Sequence, residues 1–583
     1  MIPLLFISVG PFLYEPVSLL SSSILIFYVL ALYLFNKGIK LKKQYNLLIP
    51  ILLPVSYVVS AIVNHQSPTS LLLGGFGRNI GLSTLLALSL LFIYFSIFTF
   101  NTTKILTFGF LLTLIFANLY GYLQYFNSDP IKWANPFKSV SLTLGNPNFA
   151  GALFGCLAIS TMYFFIKSKS LVTKLLYSSL GLSSIFLAFK TNSLQSVLLV
   201  IFSIFVFLLS VSLNNSGKRY RLIRNISLTS SLIFITSLIF SLKNISGFKE
   251  RVFSEGSIAP RLDFWRSGIE IWKDNPIFGV GADQYQKFSA MYRTPTQIVR
   301  DGNFQIPDKA HNVLIDHLAN GGVFAGVLWI LLICLVFKAS ISLIYNSNVD
   351  RFQLSLLISI WTCYVAQSMI SPDQIILAVI GYTSGGILVG LYNKNRSLSM
   401  PEQKSKLINK DLIRFPLVII MIFLSIFYVK TLSANYKAEE ILNGKLVGSN
   451  IYSQVVNSWP NAKFTEELAI DSLRDPKNCD FSEELANRLI SIDDRSAQGW
   501  FIKSFCANSR KDFNSAIEFV DKSLEFDPSN PYYLLSKAKL HIAANQIEKA
   551  EETLKRVKLI NPFETDLQQV SEAIDFWKAQ NPS

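Results

Sequence analysis

The chain of 583 residues is 51% hydrophobic and 13% aromatic, with a mean hydropathy of +0.38, which is too much apolar surface for one water-soluble core. Its net charge of +15 hides a division, since Lys and Arg outnumber Asp and Glu 35 to 15 through residue 430 and are outnumbered 18 to 23 after it. The basic residues of the first part gather in short loops between apolar runs, which excludes nucleic acid as the partner that the charge serves.

The first 430 residues predict an all-α, polytopic membrane domain of about 12–13 transmembrane helices, because an apolar run of ~20 residues spans a hydrocarbon core. The opening "MIPLLFISVGPFLYEP" is broken by Gly10 and Pro11 and has no basic start. It reads as a first span or a re-entrant piece, and not as a cleaved signal peptide. Spans follow at 17–36, 46–64, 80–100, 105–126, 149–166, 174–190, 194–213, 226–242, 318–337, 353–371, 374–392 and 413–430. The basic loops 36–44, 166–174, 216–225 and 392–414 fall on one side by alternation, and that side is expected to be the cytoplasm. A loop over about 243–317, and everything after residue 431, is then extracytoplasmic.

Cations at the outer ends of spans have two readings. Arg78 in "GGFGRNIGL" and Lys190 in "FLAFKTNS" either snorkel to lipid headgroups or face an anionic ligand. Within the long loop, "APRLDFWRSGIEIWKDNP" reads as an amphipathic helix begun after Pro260, with Leu262, Trp265, Ile269 and Trp272 on one stripe. Such a helix is expected to lie along the membrane surface with its tryptophans at headgroup level. It would carry Arg261 and Arg266 to the interface, where a guanidinium fork suits phosphate as well as ordinary surface solvation. Next comes "KAHNVLIDHLANGG", in which His311 precedes Asn312 and the following span. An imidazole there either caps a helix start or takes a proton from a hydroxyl near neutral pH. His317 lies six residues on, a spacing that does not place it beside His311 on a helix. No HExxH or paired CxxC spacing occurs, so no metal site is expected. His65 and His541 read as structural. Cys156, Cys334 and Cys363 read as small apolar residues of the spans. Cys479 and Cys506 would lie where a disulfide is permitted, and their pairing stays open.

After residue 431 a period of 34 appears: Pro460, Asp494, Pro528 and Pro562 are equally spaced, and Ala516 and Ala550 share the step. A helix-turn-helix period of that length, with alanine where helices approach closely, resembles tetratricopeptide repeats. Residues 431–583 are therefore expected to form a small α-solenoid. It would serve either as a docking platform for a protein or glycan partner or as a helical array without binding.

In order along the chain, "YGYLQYF", "TLGNPNFAGALF", "PRLDFWRSGIEIWKDNPIFGVG" and "AHNVLIDHLANGG" together resemble the O-antigen ligase and polymerase superfamily over roughly residues 10–395. A tetratricopeptide tail also occurs in that superfamily. The resemblance implies a bacterial envelope enzyme of the cytoplasmic membrane. It would carry out a metal-independent, inverting transfer of a glycan from undecaprenyl diphosphate to a glycan, lipid or protein acceptor, without a cofactor. By resemblance Arg261 and Arg78 hold the donor's diphosphate and His311 helps to deprotonate the acceptor hydroxyl or to orient the diphosphate. Tyr122, Gln124, Asn146 and Asn148 fall in motif positions and would shape the pocket, and Arg266 and Asn312 are further substrate-binding candidates. Two departures stand out. Many relatives carry Ser-Arg where this chain has "TNSLQS", so a second phosphate-binding arginine is missing unless Lys190 replaces it. Where ligases often show an acidic residue nine positions after the histidine, this chain has Asn320.

Two other classes compete. A transporter or flippase of lipid-linked glycans would need mid-membrane charges and broken helices in paired repeats. A membrane-anchored repeat scaffold would need far fewer spans.

Overall fold

The computed structural model describes residues 16–34, 40–41, 47–75, 78–97, 102–130, 139–213, 217–218, 220–226, 228–229, 258–398, 406–407, 410–442, 444, 449–458, 462–473 and 479–580. The opening residues 1–15, nearly all of the expected span 226–242, loop residues 243–257 and Pro460 lie outside the described residues. The chain divides into two compact units. The first comprises Met1–Ile258, Pro276–Ala282 and His311–Tyr428, and the second Ala259–Asn275, Asp283–Ala310 and Val429–Ser583.

The first unit is a helical bundle. Its helices are α1 (Pro16–Leu34), α2 (Leu48–Val63), the short α3 (Pro68–Leu73), α4 (Leu82–Ile97), α5 (Thr102–Tyr125), α6 (Pro147–Lys167), α7 (Leu171–Lys190) and α8 (Leu194–Ser212). In the second unit α9 (Ile258–Asp274), α10 (Tyr285–Ser289) and α11 (Pro295–Asp301) come next in the chain. The bundle then resumes with α12 (Val313–Asn346), α13 (Arg351–Ser368), α14 (Ile375–Leu398) and α15 (Lys410–Leu442), the last of which belongs to the second unit from Val429 onward. Among the described residues α6, α7, α8, α12, α14 and α15 are long and apolar enough to cross a membrane, and α2 and α4 are shorter apolar helices. The protein is an all-α, multi-pass membrane protein.

Burial sorts these helices. Helices α6 and α14 are enclosed on nearly all sides, as befits a helix that is apolar all round. By contrast α15 exposes Phe415, Ile422, Phe423 and Ile426, large side chains that lipid tails would cover. Small residues allow the tight crossings: a Cβ on Gly151 of α6 would lie 1.6 Å from Ser196 Oγ of α8.

The two ends of the bundle differ in chemistry. At one end the basic loops meet: Lys40–Leu41 pairs antiparallel with Lys406–Leu407, Lys167 Nζ lies 2.5 Å from Asp350, and Arg351 sits 5.6 Å from the Tyr220 ring. At the other end helices start with polar caps. Asn146 caps α6 ahead of Pro147, Ser193 caps α8, and Asn312 caps α12 through a bond from the Ile315 amide of 3.2 Å. Each side-chain oxygen satisfies an amide that the first turn leaves open.

Helix α12 is broken. Gly322 has φ +67 and ψ −166, and the opened backbone pairs with the strap Pro276–Ala282. Val280 N donates to Ala319 O at 3.0 Å, Gly281 N to Asn320 O at 2.9 Å and Val323 N to Pro276 O at 2.9 Å. Glycine is required on both sides of this contact. A Cβ at Gly322 would lie 2.1 Å from Ile277 O, and one at Gly279, φ +64, would lie 2.5 Å from the Asn320 carbonyl carbon. The end of α2 clamps the strap, since Asn64 Nδ2 donates to Gly279 O at 3.0 Å and Gln66 bonds both the N–H and C=O of Ala282 at 2.8 Å.

The second unit contains a helical array of α16 (Ser449–Ser458), α17 (Ala462–Ser472), α18 (Cys479–Ile492), α19 (Ala497–Ser509), α20 (Phe513–Phe526), α21 (Pro531–Ala543), α22 (Ile547–Ile560) and α23 (Leu567–Gln580). Successive helices pack into antiparallel pairs with a shared core. Ala516 and Ala550, one period apart, are both fully buried, where larger side chains would hold the helices apart. Cys479 and Cys506 are buried free thiols, with Cys506 Sγ 3.5 Å from the Cys479 carbonyl oxygen.

Candidate functional site

The polar end of the bundle collects most of the residues singled out in the sequence. The α5 terminus, with "YGYLQYF", supplies Tyr122 and Gln124. Tyr122 stacks between Phe126 and Phe186, with ring centroids at 6.1 and 6.2 Å. Lys190, at the end of α7, lies 5.2 Å from the Tyr125 ring and 5.3 Å from Phe186, an arrangement that holds an ammonium by ring quadrupoles. Gln124 staples the following loop to the helix: its Oε1 accepts from Ser141 N at 3.1 Å and Leu142 N at 2.8 Å, and its Nε2 donates to Leu142 O at 3.0 Å.

From there a series of neutral hydrogen bonds crosses the end of the bundle. Ser193 donates to Asn148 Oδ1. Thr191 Oγ1 donates to Ser196 Oγ at 2.9 Å, and Ser196 Oγ to Pro147 O at 3.3 Å. Gln195 Nε2 donates to Ser371 Oγ at 2.9 Å, and Asn312 Nδ2 reaches Met369 O at 2.9 Å. The half-buried Arg78 brings its guanidinium to 5.6 Å from the ring of Phe149, the residue after Asn148. His311 is half-buried at the head of α12 with φ +56. Arg78, Lys190, Tyr122, Gln124, Asn146, Asn148, His311 and Asn312 therefore share this end. Asn146, Gln124 and Asn312 are engaged with backbone, so they shape the loops.

A second set of polar residues lies beside α12, of which only His317 and Asn320 drew attention in the sequence. Tyr57 Oη and His317 Nδ1 are 2.6 Å apart, Ser60 donates to Asn320 O at 2.9 Å, and Tyr364 donates to Asp373 at 3.1 Å. Asp316 and Asp373 are both buried. Ionisable residues inside apolar helices are costly and mark function by default, so the Asp-His pair within "VLIDHLANGG" was the available signal. Among the described residues no three His, Cys, Asp or Glu side chains converge as metal ligands would.

Arg261 and Arg266 belong to the second unit. Helix α9 starts at Ile258, so Pro260 occupies its first turn, where a missing amide costs nothing. The face buried within the protein is Ala259, Arg261, Ser267, Gly268 and Ile271. Leu262 and Ile269 are exposed, and Trp265 and Trp272 are half-buried. Small residues at 259, 267 and 268 let the helix approach its neighbours closely. Arg261 is 9% exposed, and burial lowers its guanidinium below the ordinary arginine range, which leaves it charged at any working pH. Arg266 is exposed. His541, which sequence reads as structural, is buried with Nδ1 2.9 Å from Gln546 Oε1.

Residues 149–330 match the O-antigen ligase family model. That stretch begins at Phe149, the ring under Arg78, and runs through α9, the strap and the broken start of α12. Residues 507–574 match a tetratricopeptide-repeat model. Comparison with curated proteins finds no match.

Proposed function

We propose that the protein transfers a glycan from a polyprenyl diphosphate to an acceptor hydroxyl at the outer face of the cytoplasmic membrane, as a ligase or polymerase of the O-antigen type. Residues 1–430 would form the transfer domain and 431–583 an extracytoplasmic repeat domain. The observation that carries the reading is the gathering of Arg78, Lys190, His311 and the Asn148–Ser193 pair at the one polar end of the bundle, within or beside the segment that matches the ligase family. The Lys and Arg bias of the loops at the opposite end supports a cytoplasmic side there.

In this reading the guanidinium of Arg78, helped by Lys190, takes up the charge that develops as the diphosphate departs, which lowers the barrier without reorganisation at the moment of reaction; for Arg261 a diphosphate-binding role rests on the family resemblance alone. His311 receives the proton of the acceptor hydroxyl as the new glycosidic bond forms. An open apolar groove of about 620 Å³ along α2 and α12, lined by Leu52, Val55, Val59, Phe278, Phe324 and Val327, suits a polyprenyl chain on the lipid side.

The transporter alternative draws on the break in α12. Here the break is satisfied by the strap, whose three backbone bonds hold it closed like a fixed joint. The two readings separate in membranes: Arg78→Ala, Arg261→Ala and His311→Ala should each leave the protein inserted, abolish glycan product, and make lipid-linked glycan accumulate at the outer face. Accumulation on the cytoplasmic face instead would assign transport.

A further inference from the structure

We propose that the helical repeat is a positioning module for Arg261: it grips the Asp283–Ala310 arm through the buried Arg293–Asp527 ion pair, and the arm in turn holds α9. The first link is arm to repeat. Arg293 Nη2 donates to both carboxylate oxygens of Asp527, at 2.8 and 2.6 Å, and the two side chains are 0% and 2% exposed. Its Nη1 donates to Asn303 O at 2.8 Å, so one guanidinium closes the arm upon itself while bonding the repeat.

Around this pair the arm is fastened along its length. Asn303 Nδ2 donates to the two carboxylate oxygens of Glu564 at 2.9 and 3.0 Å, and Asn530 Nδ2 donates to Asn303 O at 3.2 Å. The Phe304 ring packs 5.3 Å from Tyr532, and Arg495 lies 4.2 Å from the centre of the Phe288 ring. Asp527, Asn530 and Glu564 sit at or near the turns that end successive repeats. Those turns thus bind a segment of the same chain.

The second link is arm to α9. Tyr285, fully buried, donates to Phe264 O at 2.7 Å. Arg300 Nη1 lies 2.9 Å from Asp263, and Tyr292 bonds Asp274 at the far end of the helix. Three attachments spread over α9 fix both its position and its rotation. Rotation decides which way Arg261 faces, because the helix presents each side chain at its own angle. A planar, bidentate buried pair suits such a joint, since a guanidinium fork admits one docking geometry where an ammonium admits many.

What Arg261 does rests on the proposed function, but the positioning itself is readable without it. Hydrogen–deuterium exchange on the full-length protein, for wild type, Arg293→Ala and the milder Asn303→Ala, follows peptides of 259–275 and 283–310. Both variants are expected to speed exchange in the arm and in α9, Arg293→Ala by tenfold or more, with α6 and α14 unchanged. Donor titration in the transfer assay should then raise KM for the lipid-linked glycan more than it lowers kcat, and Arg293→Lys should recover only part of the loss. Unaltered exchange in α9 with a loosened arm overturns the proposal, as does loosened α9 with donor KM unchanged. Absence of transfer by the wild-type protein would count against the proposed function alone, and the exchange result would still decide the joint.

Discussion

The polar end of the bundle and the arm of the second unit solve the same problem, fixing loops next to candidate site residues, with opposite chemistry. The bundle uses mainly neutral partners: Asn148 with Ser193, Gln195 with Ser371, Asn312 with a carbonyl, Gln66 with both backbone groups of Ala282, and its carboxylates Asp129 and Asp373 accept from neutral tyrosine and glutamine donors. The arm uses ions: Arg293 with Asp527, Arg300 with Asp263, Lys287 with Asp493, Lys309 with Asp283. A site that receives a diphosphate gains from the first arrangement, because amide and hydroxyl partners fix the loops without adding a charge of their own. A joint gains from the second, because paired charges are selective for one another.

The comparison is broken most directly at His311. If the neutral scaffold serves a reacting centre, His311→Ala should reduce transfer by roughly 10²–10⁴-fold, the range for loss of a general acid or base, with Asn312→Ala affecting folding of α12 more than rate. The check is single-turnover transfer from a purified lipid-linked donor at saturating concentration. Transfer within twofold of wild type for His311→Ala would remove the histidine from the chemistry.

Arg293→Ala tests the ionic joint energetically. Removing one partner strands a buried carboxylate, which typically costs about 3–5 kcal/mol, whereas replacing both partners by apolar residues of similar volume is often neutral. The single variant should therefore unfold the second unit at markedly lower denaturant than Arg293→Met/Asp527→Leu, as followed by limited proteolysis after residue 429. If single and double variants fall together, the pair is a bystander.

Helix placement was legible wherever run length decides it. The expected spans 149–166 and 194–213 are Pro147–Lys167 and Leu194–Ser212, because ~20 apolar residues can only be buried or membrane-bound. The repeat was legible because alanine and proline recur where packing and turns demand them. The break at Gly322 was not, since its bonds go to a strap far upstream and periodicity carries no long-range pairing. For the same reason the Tyr57–His317 contact was missed although His317 itself was noticed, whereas Tyr364–Asp373 is a nearer pair whose residues are unremarkable alone. The packed face of α9 was not legible for a different reason: the helix buries its small residues against neighbours, and apolar size did not mark that face.

Disrupting Gln66 should have a smaller effect than either of these and sharpens the neutral side of the comparison. Ala282 is fully buried, so Gln66→Leu leaves its N–H and C=O without their amide partner at a cost of about 1–3 kcal/mol. Gln66→Glu should cost less, because the carboxylate still accepts from the Ala282 amide, but it repels the Ala282 carbonyl oxygen. Protonation restores a donor to that oxygen, so in the glutamate variant the strap is held better by the acid form than by the carboxylate. The linked carboxyl pKa is then raised in the folded state, and its stabilising effect is present at low pH and fades as pH rises through it. Amide exchange at 280–282 should accordingly be protected in Gln66→Glu at acidic pH, after correction for the intrinsic rate, and exposed at neutral pH, while Gln66→Leu stays exposed throughout. A glutamate variant with no pH dependence would show that the strap is held by the glycine contacts with α12 and not by the amide of α2.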